Sequence, residues 1–108
     1  MGVNKIILVG RLGKDPESIE NEGKSMTRFT LATNENYPDG DGGFKEKVEW
    51  HNIVAFNARA KACQKYIKKG SNVYIEGRNA TRSYKKEGQT HYITEVQVKD
   101  IQFLDTKD

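Results

Sequence analysis

Aromatic side chains give this sequence its first candidate site. The run Val48–Phe56 is rich in β-forming residues and has no Gly or Pro, so it predicts a strand. Strand side chains alternate, and one face of this strand therefore carries Trp50, Asn52, Val54 and Phe56. Two interpretations remain open: a strand buried on both sides, or a strand that offers an aromatic face to a flat ligand.

Basic residues are concentrated in the middle of the chain. Residues 45–86 carry 11 Lys or Arg against 3 acidic residues, a balance of +8, whereas residues 1–44 and 87–108 sum to −2 and −3. The same middle part holds the rings of Trp50, Phe56, Tyr66, Tyr74 and Tyr84. Cations for phosphates and rings for bases are what a nucleic-acid surface requires. The alternative is that these cations only solvate a helix and a hairpin.

The sequence offers little for catalysis, metal binding or membrane insertion. It has no paired carboxylates or activated nucleophile at a useful spacing, so we expect no enzyme. The two His and the single Cys63 do not make a structural zinc site or an internal disulfide, and no cofactor is expected. No apolar run approaches the ~20 residues that span a bilayer, and no secretory segment is visible. We therefore expect no membrane contact and a reducing compartment.

The predicted elements occur in the order of a known small barrel. Strands are predicted over about 4–9, 25–33 and 48–56, a helix over 58–69 with Asn57 as its cap, and two more strands over 72–84 and 90–98. The stretch 34–44, with three Gly and one Pro, predicts a mobile loop. This order is that of the OB-fold, an all-β, five-stranded Greek-key barrel with one helix between strands 3 and 4. Because one face of each strand fills so small a lumen, Trp50 and Phe56 on the outer face need a subunit or a ligand as cover.

Several ordered motifs make the chain resemble the bacterial-type single-stranded DNA-binding protein family. They run from about residue 3 to residue 104 and comprise Val3–Glu17, Glu49-Trp50-His51, Tyr66–Ser71, Tyr74–Gly77 and Thr94-Glu95-Val96. The resemblance implies an OB-fold that assembles as a homotetramer. It also implies non-catalytic binding of single-stranded DNA, without sequence preference, in replication, recombination and repair.

The resemblance also implies roles for individual residues. Bases are expected to stack on the aromatic side chains that match the family's stacking positions: Tyr37, Trp50, Phe56 and Tyr84. Basic positions near the DNA path are Lys5, Lys69 and Arg82, and His51 matches a position at the subunit interface. Many members have Trp where this chain has Tyr37 and Tyr84, and some have Arg where it has Asn52 and Ala80.

The end of the chain bears on partners and location. We expect one DNA-binding domain over residues 1–108 with no acidic tail. Most bacterial members continue into a Gly- or Pro-rich tail whose acidic tip recruits replication proteins, so such recruitment is in doubt here. A bacterial cytoplasm and nucleoid are expected, with a mitochondrial member as the alternative. The rival function is a protein-assembly module, similar to primosomal relatives, in which Trp50 and Phe56 pack against a protein.

Overall fold

Six strands and one helix make up the part of the chain that the structure, a computed structural model, describes, namely residues 2–105. In chain order the elements are β1 (Ile6–Leu12), β2 (Glu17–Asn21), β3 (Lys24–Pro38), β4 (Phe44–Phe56), α1 (Asn57–Tyr66), β5 (Asn72–Lys86) and β6 (Gln89–Phe103). Within these residues no helix is long and apolar enough to cross a membrane.

The strands close into a barrel. Their order is β1-β5-β6-β4-β3-β2, and a further pairing of β1 with β3 joins the two sides of the sheet. β1 and β2 both run antiparallel to β3, β1 through Arg11 and Leu12 and β2 through Glu17–Asn21. They are therefore two halves of one strand that bends at residues 13–16. Counted this way the barrel has five strands, with α1 between the third and the fourth, and the predicted OB-fold is confirmed.

Alternation along the strands fills the lumen of the barrel. Phe29 and Leu31 of β3 are buried, as are Ile53 and Ala55 of β4. α1 covers one end of the barrel with Ala60 and Cys63, and the Thr27 hydroxyl donates a hydrogen bond of 2.9 Å to the carbonyl oxygen of Ala60. The opposite face of β4, which carries Trp50, consequently points away from the core.

One segment outside the predicted strands and most of the predicted loop 34–44 are strands. Residues 17–21 form β2, and the hairpin of β3 and β4 stays paired as far as Pro38 and Phe44. The turn that remains is held by Asp39, whose Oδ1 accepts hydrogen bonds from the backbone N of Asp41 and of Gly43 at 2.8 and 3.1 Å. The alternation signal was missing because both faces of this hairpin are exposed, so neither face needs apolar residues.

The helix is shorter than predicted. It begins at Asn57, whose φ is 56°, without a side-chain cap, and it ends at Tyr66 rather than at Lys69. Ile67 is extended and buried, so the chain leaves the helix in order to place this side chain in the core. Gly70, in the left-handed region with a φ of 87°, then donates a hydrogen bond of 2.9 Å from its N to the carbonyl oxygen of Leu12.

Candidate nucleic-acid interface

Trp50 lies on the outer face of the barrel, against the bend between β1 and β2. A Cβ atom added to Gly13 would lie 2.6 Å from Cζ3 of the indole, so only glycine permits this contact. Lys14 and Thr30 complete a shallow apolar depression around the ring. The indole is nevertheless 58% exposed. It is a large flat ring that is supported on one side and open to solvent on the other.

Phe56 and Tyr84 belong to the same outer face. Phe56, 42% exposed, ends β4 opposite Met26. Tyr84, also 42% exposed, lies on the hairpin of β5 and β6 opposite His91, with the two ring centroids 5.4 Å apart and nearly parallel. The His91 ring and the Tyr84 ring thus form a stacked pair on this arm. Three of the four predicted stacking residues therefore share one side of the sheet.

Tyr37 does not join them. It lies in β3 opposite Lys45, with an unbroken register back to Ala32 opposite Trp50. Tyr37 and Ala32 are an odd number of residues apart, so alternation puts the phenol on the other face of this hairpin from the indole. The ring is exposed. A nucleic-acid strand that stacks on both Trp50 and Tyr37 has to pass around the β3–β4 hairpin.

The predicted basic residues lie in different surroundings. Lys69 follows α1, and its backbone N donates a hydrogen bond of 2.8 Å to Oδ1 of Asp15, in the bend that supports Trp50. Its backbone is therefore tied to this bend, and its side chain is exposed. Lys5 instead precedes β1, where its Nζ lies 2.6 Å from Oε1 of Glu76. Hydrogen bonding between the two raises the pKa of Lys5 and lowers that of Glu76.

Arg82 is already engaged by a buried carboxylate. The Glu95 side chain is only 7% exposed, and its Oε1 accepts a hydrogen bond of 2.8 Å from Nε of Arg82, which raises the pKa of the guanidinium. On the other side, Nε of Arg28 lies 3.6 Å from Oε2 of Glu95. The Arg28–Glu95–Arg82 cluster thus links β3, β6 and β5 across β4. Arg28 is also the Cα partner of Val54, which explains why Val54 is buried although it lies on the outer face.

Arg28 and Glu95 are the residues that sequence reasoning missed. The available signal for Arg28 is alternation in the predicted strand 25–33, which puts it on the face away from Phe29 and Leu31. Glu95 was part of a family motif, but nothing in its neighbours indicates a buried carboxylate. The partners of Glu95, Arg28 and Arg82, come from two other strands, so sequence spacing does not identify these pairs.

The side chain of His51 lies on the opposite face of β4 from that of Trp50. It is half-buried, and its Nε2 lies 2.9 Å from Oγ1 of Thr33. Its predicted role at a subunit interface stays a prediction.

Residues 2–105 contain no group of three or more His, Cys, Asp or Glu that is able to hold a metal ion. Cys63 is buried in the core, and burial raises the pKa of its thiol to about 11, which keeps it protonated at neutral pH.

Comparison with known proteins places this geometry in context. The model of the single-strand binding protein family matches residues 3–104. A protein named single-stranded DNA-binding protein 1, from Chlorobaculum tepidum, is 48% identical over 99% of this chain and 68% of its own length. A solved structure described as a Plasmodium falciparum SSB complex with ssDNA superimposes with a TM-score of 0.85. That structure is 37% identical and covers 97% of both chains.

Proposed function

The chain belongs to the single-strand binding protein family, and we propose the mechanism by which its outer face holds single-stranded DNA. It is a non-catalytic single-stranded DNA-binding protein, as its family, its relative and its structural neighbour agree. In the proposed mechanism, exposed rings stack on successive bases while Lys and Arg neutralise phosphates and release counterions. Neither contact depends on the identity of the base, so binding is independent of sequence.

The observation that carries this mechanism is the exposed indole of Trp50. A ring with 58% of its surface in solvent, supported from below by Gly13, is prepared to stack without further rearrangement. Phe56 and Tyr84 offer further rings on the same face, and Tyr37 adds one that the strand reaches only by turning around the hairpin. We assign phosphate contacts to Lys69 beside the bend and, after partial release from Glu95, to Arg82. Lys5 is assigned the weakest contact because Glu76 competes for its charge.

Fluorescence of the single tryptophan tests the mechanism directly. Oligo-dT should quench Trp50 emission in proportion to occupancy, since no other indole contributes. Duplex DNA of the same length should quench much less, because its bases are already stacked on one another. Unchanged emission with bound oligo-dT would contradict the stacking role. Affinity for oligo-dT that does not vary with salt would favour the protein-assembly alternative, because phosphate neutralisation requires a steep salt dependence.

Assembly into a homotetramer is part of the same proposal. β1 pairs with β5 over Ile6–Arg11 but with β3 only at Arg11 and Leu12. Within residues 2–105 the other edge of Ile6–Gly10 consequently has no strand partner. Such an edge is a template for pairing with a second copy of the same strand. Ile7 and Val9, each 53% exposed, would be covered by that contact.

The wider cellular role follows from the family. We propose that residues 1–108 act as one DNA-binding domain that protects single-stranded DNA and prevents hairpins during replication, recombination and repair. A bacterial nucleoid is the proposed location, supported by the similarity to the Chlorobaculum tepidum protein.

A further inference from the structure

A cationic pocket outside the predicted contacts lies where α1, β5 and β6 meet. It is lined by Arg59, Gly77, Arg78, Gln97, Val98 and Lys99. Three of these residues are cations and none is an acid. No carboxylate among residues 2–105 lies within 4 Å of the charged groups of Arg59, Arg78 or Lys99. Glu76 is close enough for Lys99 to lower its pKa, but its carboxylate is hydrogen-bonded to Lys5. The positive charge of the pocket is therefore available to a ligand.

The backbone builds this pocket through a β-bulge. Glu76 is paired with Asp100 and Gly77 with Val98, so Lys99 is an extra residue in β6. A bulge redirects the side chain of the extra residue and increases the local twist. Close approach of the strands is possible because residue 77 is glycine: a Cβ there would lie 2.1 Å from the carbonyl oxygen of Gln97. Nη2 of Arg78 donates a hydrogen bond of 2.9 Å to Oε1 of Gln97, which orients the guanidinium.

The pocket continues the face that carries the stacking rings. Arg78 and Arg82 are four residues apart and share one face of β5, about 13 Å from each other along the strand at 3.3 Å per residue. In the parallel pairing of β4 with β6, Val54 of β4 is the partner of Gln97 of β6. Phe56 lies two residues after Val54 in β4, and Lys99 lies two residues after Gln97 in β6. Arg59 follows Phe56 by three residues, in the first turn of α1. The pocket therefore lies towards the end of the outer face where β4 ends at Phe56, although Phe56 itself is not among its lining residues.

We propose that this pocket, formed by Arg59, Arg78 and Lys99, binds backbone phosphate of the single-stranded DNA whose base stacks on Phe56. The inference rests on the function proposed above and adds a site to it. Guanidinium and ammonium groups without a carboxylate partner suit the phosphodiester anion, and a cavity of about 280 Å³ admits it. The pocket extends the DNA path beyond the Arg28–Glu95–Arg82 cluster, towards the end of the barrel that α1 covers.

A charge-matched pair of double variants tests this site. The pocket variant is Arg78→Gln with Lys99→Gln, and the control is Lys61→Gln with Lys65→Gln on the exposed part of α1. Both variants lose two positive charges, so a general electrostatic effect is the same in each. The measurement is the affinity for labelled oligo-dT by anisotropy over a range of salt concentrations. This readout is independent of Trp50, and thermal unfolding shows whether each variant is folded.

In the pocket variant, the slope of log affinity against log salt concentration should be shallower than in wild type by about 1.4. Each phosphate neutralised contributes roughly 0.7 to this slope for single strands. If wild type and variant bind equally at 1 M salt, this corresponds at 0.1 M salt to roughly 25-fold weaker binding, equal for oligo-dT, oligo-dC and oligo-dA. The control should keep the wild-type slope. Replacing the pair by Arg78→Lys with Lys99→Arg should restore it, because charge rather than shape is needed.

Equal slopes for the two glutamine variants, with wild-type protein still binding oligo-dT, would overturn the pocket while leaving the proposed function intact. So would a pocket variant that changes only the sedimentation coefficient, since the three cations would then contact another copy of the chain. Wild-type protein that fails to bind oligo-dT would overturn the proposed function itself.

Discussion

At the scale of single residues, we expect Trp50 to affect binding without affecting stability. Its indole is 58% exposed, whereas Ile53, three residues along the same strand, is buried in the lumen. Trp50→Ala should therefore weaken binding of oligo-dT by about 1–3 kcal/mol, the usual value for one stacked base. Its melting temperature should stay close to that of wild type.

Ile53→Ala is the matched control, because it removes an apolar side chain from the inner face of β4. It should lower the free energy of unfolding by about 2–5 kcal/mol. Oligonucleotide affinity, measured well below its melting temperature, should be retained. A loss of roughly 3–5 kcal/mol of stability in Trp50→Ala would instead assign the indole to the core.

The buried carboxylate of Glu95 makes its two arginine partners interdependent. Either Arg28→Ala or Arg82→Ala leaves one guanidinium close to Glu95, but the double variant leaves a carboxylate that is only 7% exposed without a partner. A buried charge without a partner is strongly unfavourable. The melting temperature should therefore fall by more than the sum of the two single effects.

Adding Glu95→Gln to that double variant should recover part of the loss, since it removes the unpaired charge. Thermal unfolding of the five proteins completes the cycle, and additive single effects would show that Glu95 is solvated. Arg82→Ala should also make the slope of log affinity against log salt concentration shallower by somewhat less than one unit. This change should be the same for every base sequence. A loss confined to one base sequence would mean that Arg82 contacts a base edge.

At the scale of elements, α1 contributes a pH dependence through Cys63. Burial raises the pKa of this thiol to about 11 from an ordinary value of 9.0. The native state therefore holds the proton more tightly than the unfolded state, so the stabilisation is present below pH 9 and is lost as the pH rises towards 11. At about 1.4 kcal/mol for each pH unit, the loss reaches about 2–3 kcal/mol.

Cys63→Ala isolates this contribution, because the Lys and Tyr residues that also titrate in alkali are the same in both proteins. Denaturant unfolding of wild type and variant should be measured at intervals from pH 7 to pH 11. The stability difference between them should shift in favour of the variant above pH 9. Parallel curves over the whole range would show that the thiol is hydrated in the native state.

Local sequence predicted those elements whose two faces differ. In β3, Phe29 and Leu31 alternate with polar residues, whereas β4 was predicted from its β-forming residues and its lack of Gly and Pro. The outer half of the β3–β4 hairpin was missed because solvent lies on both faces of it, and Tyr37 was consequently placed on a mobile loop. Asn57 looked like a helix cap, yet its side chain makes no capping hydrogen bond.

Only part of the geometry of the candidate site could be predicted. The family resemblance predicts Tyr37, Trp50, Phe56 and Tyr84 as stacking positions, which stay predictions, and alternation along β4 explains why Trp50 and Phe56 share a face. The ion pair of Glu95 with Arg28 was not predictable, because the two side chains meet across β4 from β6 and β3 and lie 67 residues apart in the sequence. Which cation is free and which is already paired depends on the sheet register alone. This distinction decides how much each can contribute to phosphate binding.

At the scale of the whole molecule, the proposed assembly depends on the open edge of β1. Residues Ile6–Gly10 use one edge for β5 and leave the other edge available within the described residues. Two copies that pair antiparallel along this edge form a closed twofold contact, and two such dimers make a tetramer with D2 symmetry. The exposed side chains of Ile7 and Val9 then become part of an apolar interface.

Val9→Asp should therefore dissociate the assembly, because it places a charge in that interface while the side chain is 53% exposed in the isolated barrel. Sedimentation velocity at micromolar concentration should show a smaller species than wild type, with the fold retained by circular dichroism. Val48→Asp is the matched control: its side chain is also exposed, but it lies on the β3–β4 hairpin away from the β1 edge. The control should keep the wild-type sedimentation coefficient. Wild-type protein that sediments as a stable monomer would refute the assembly, and equal dissociation by both variants would move the contact away from β1.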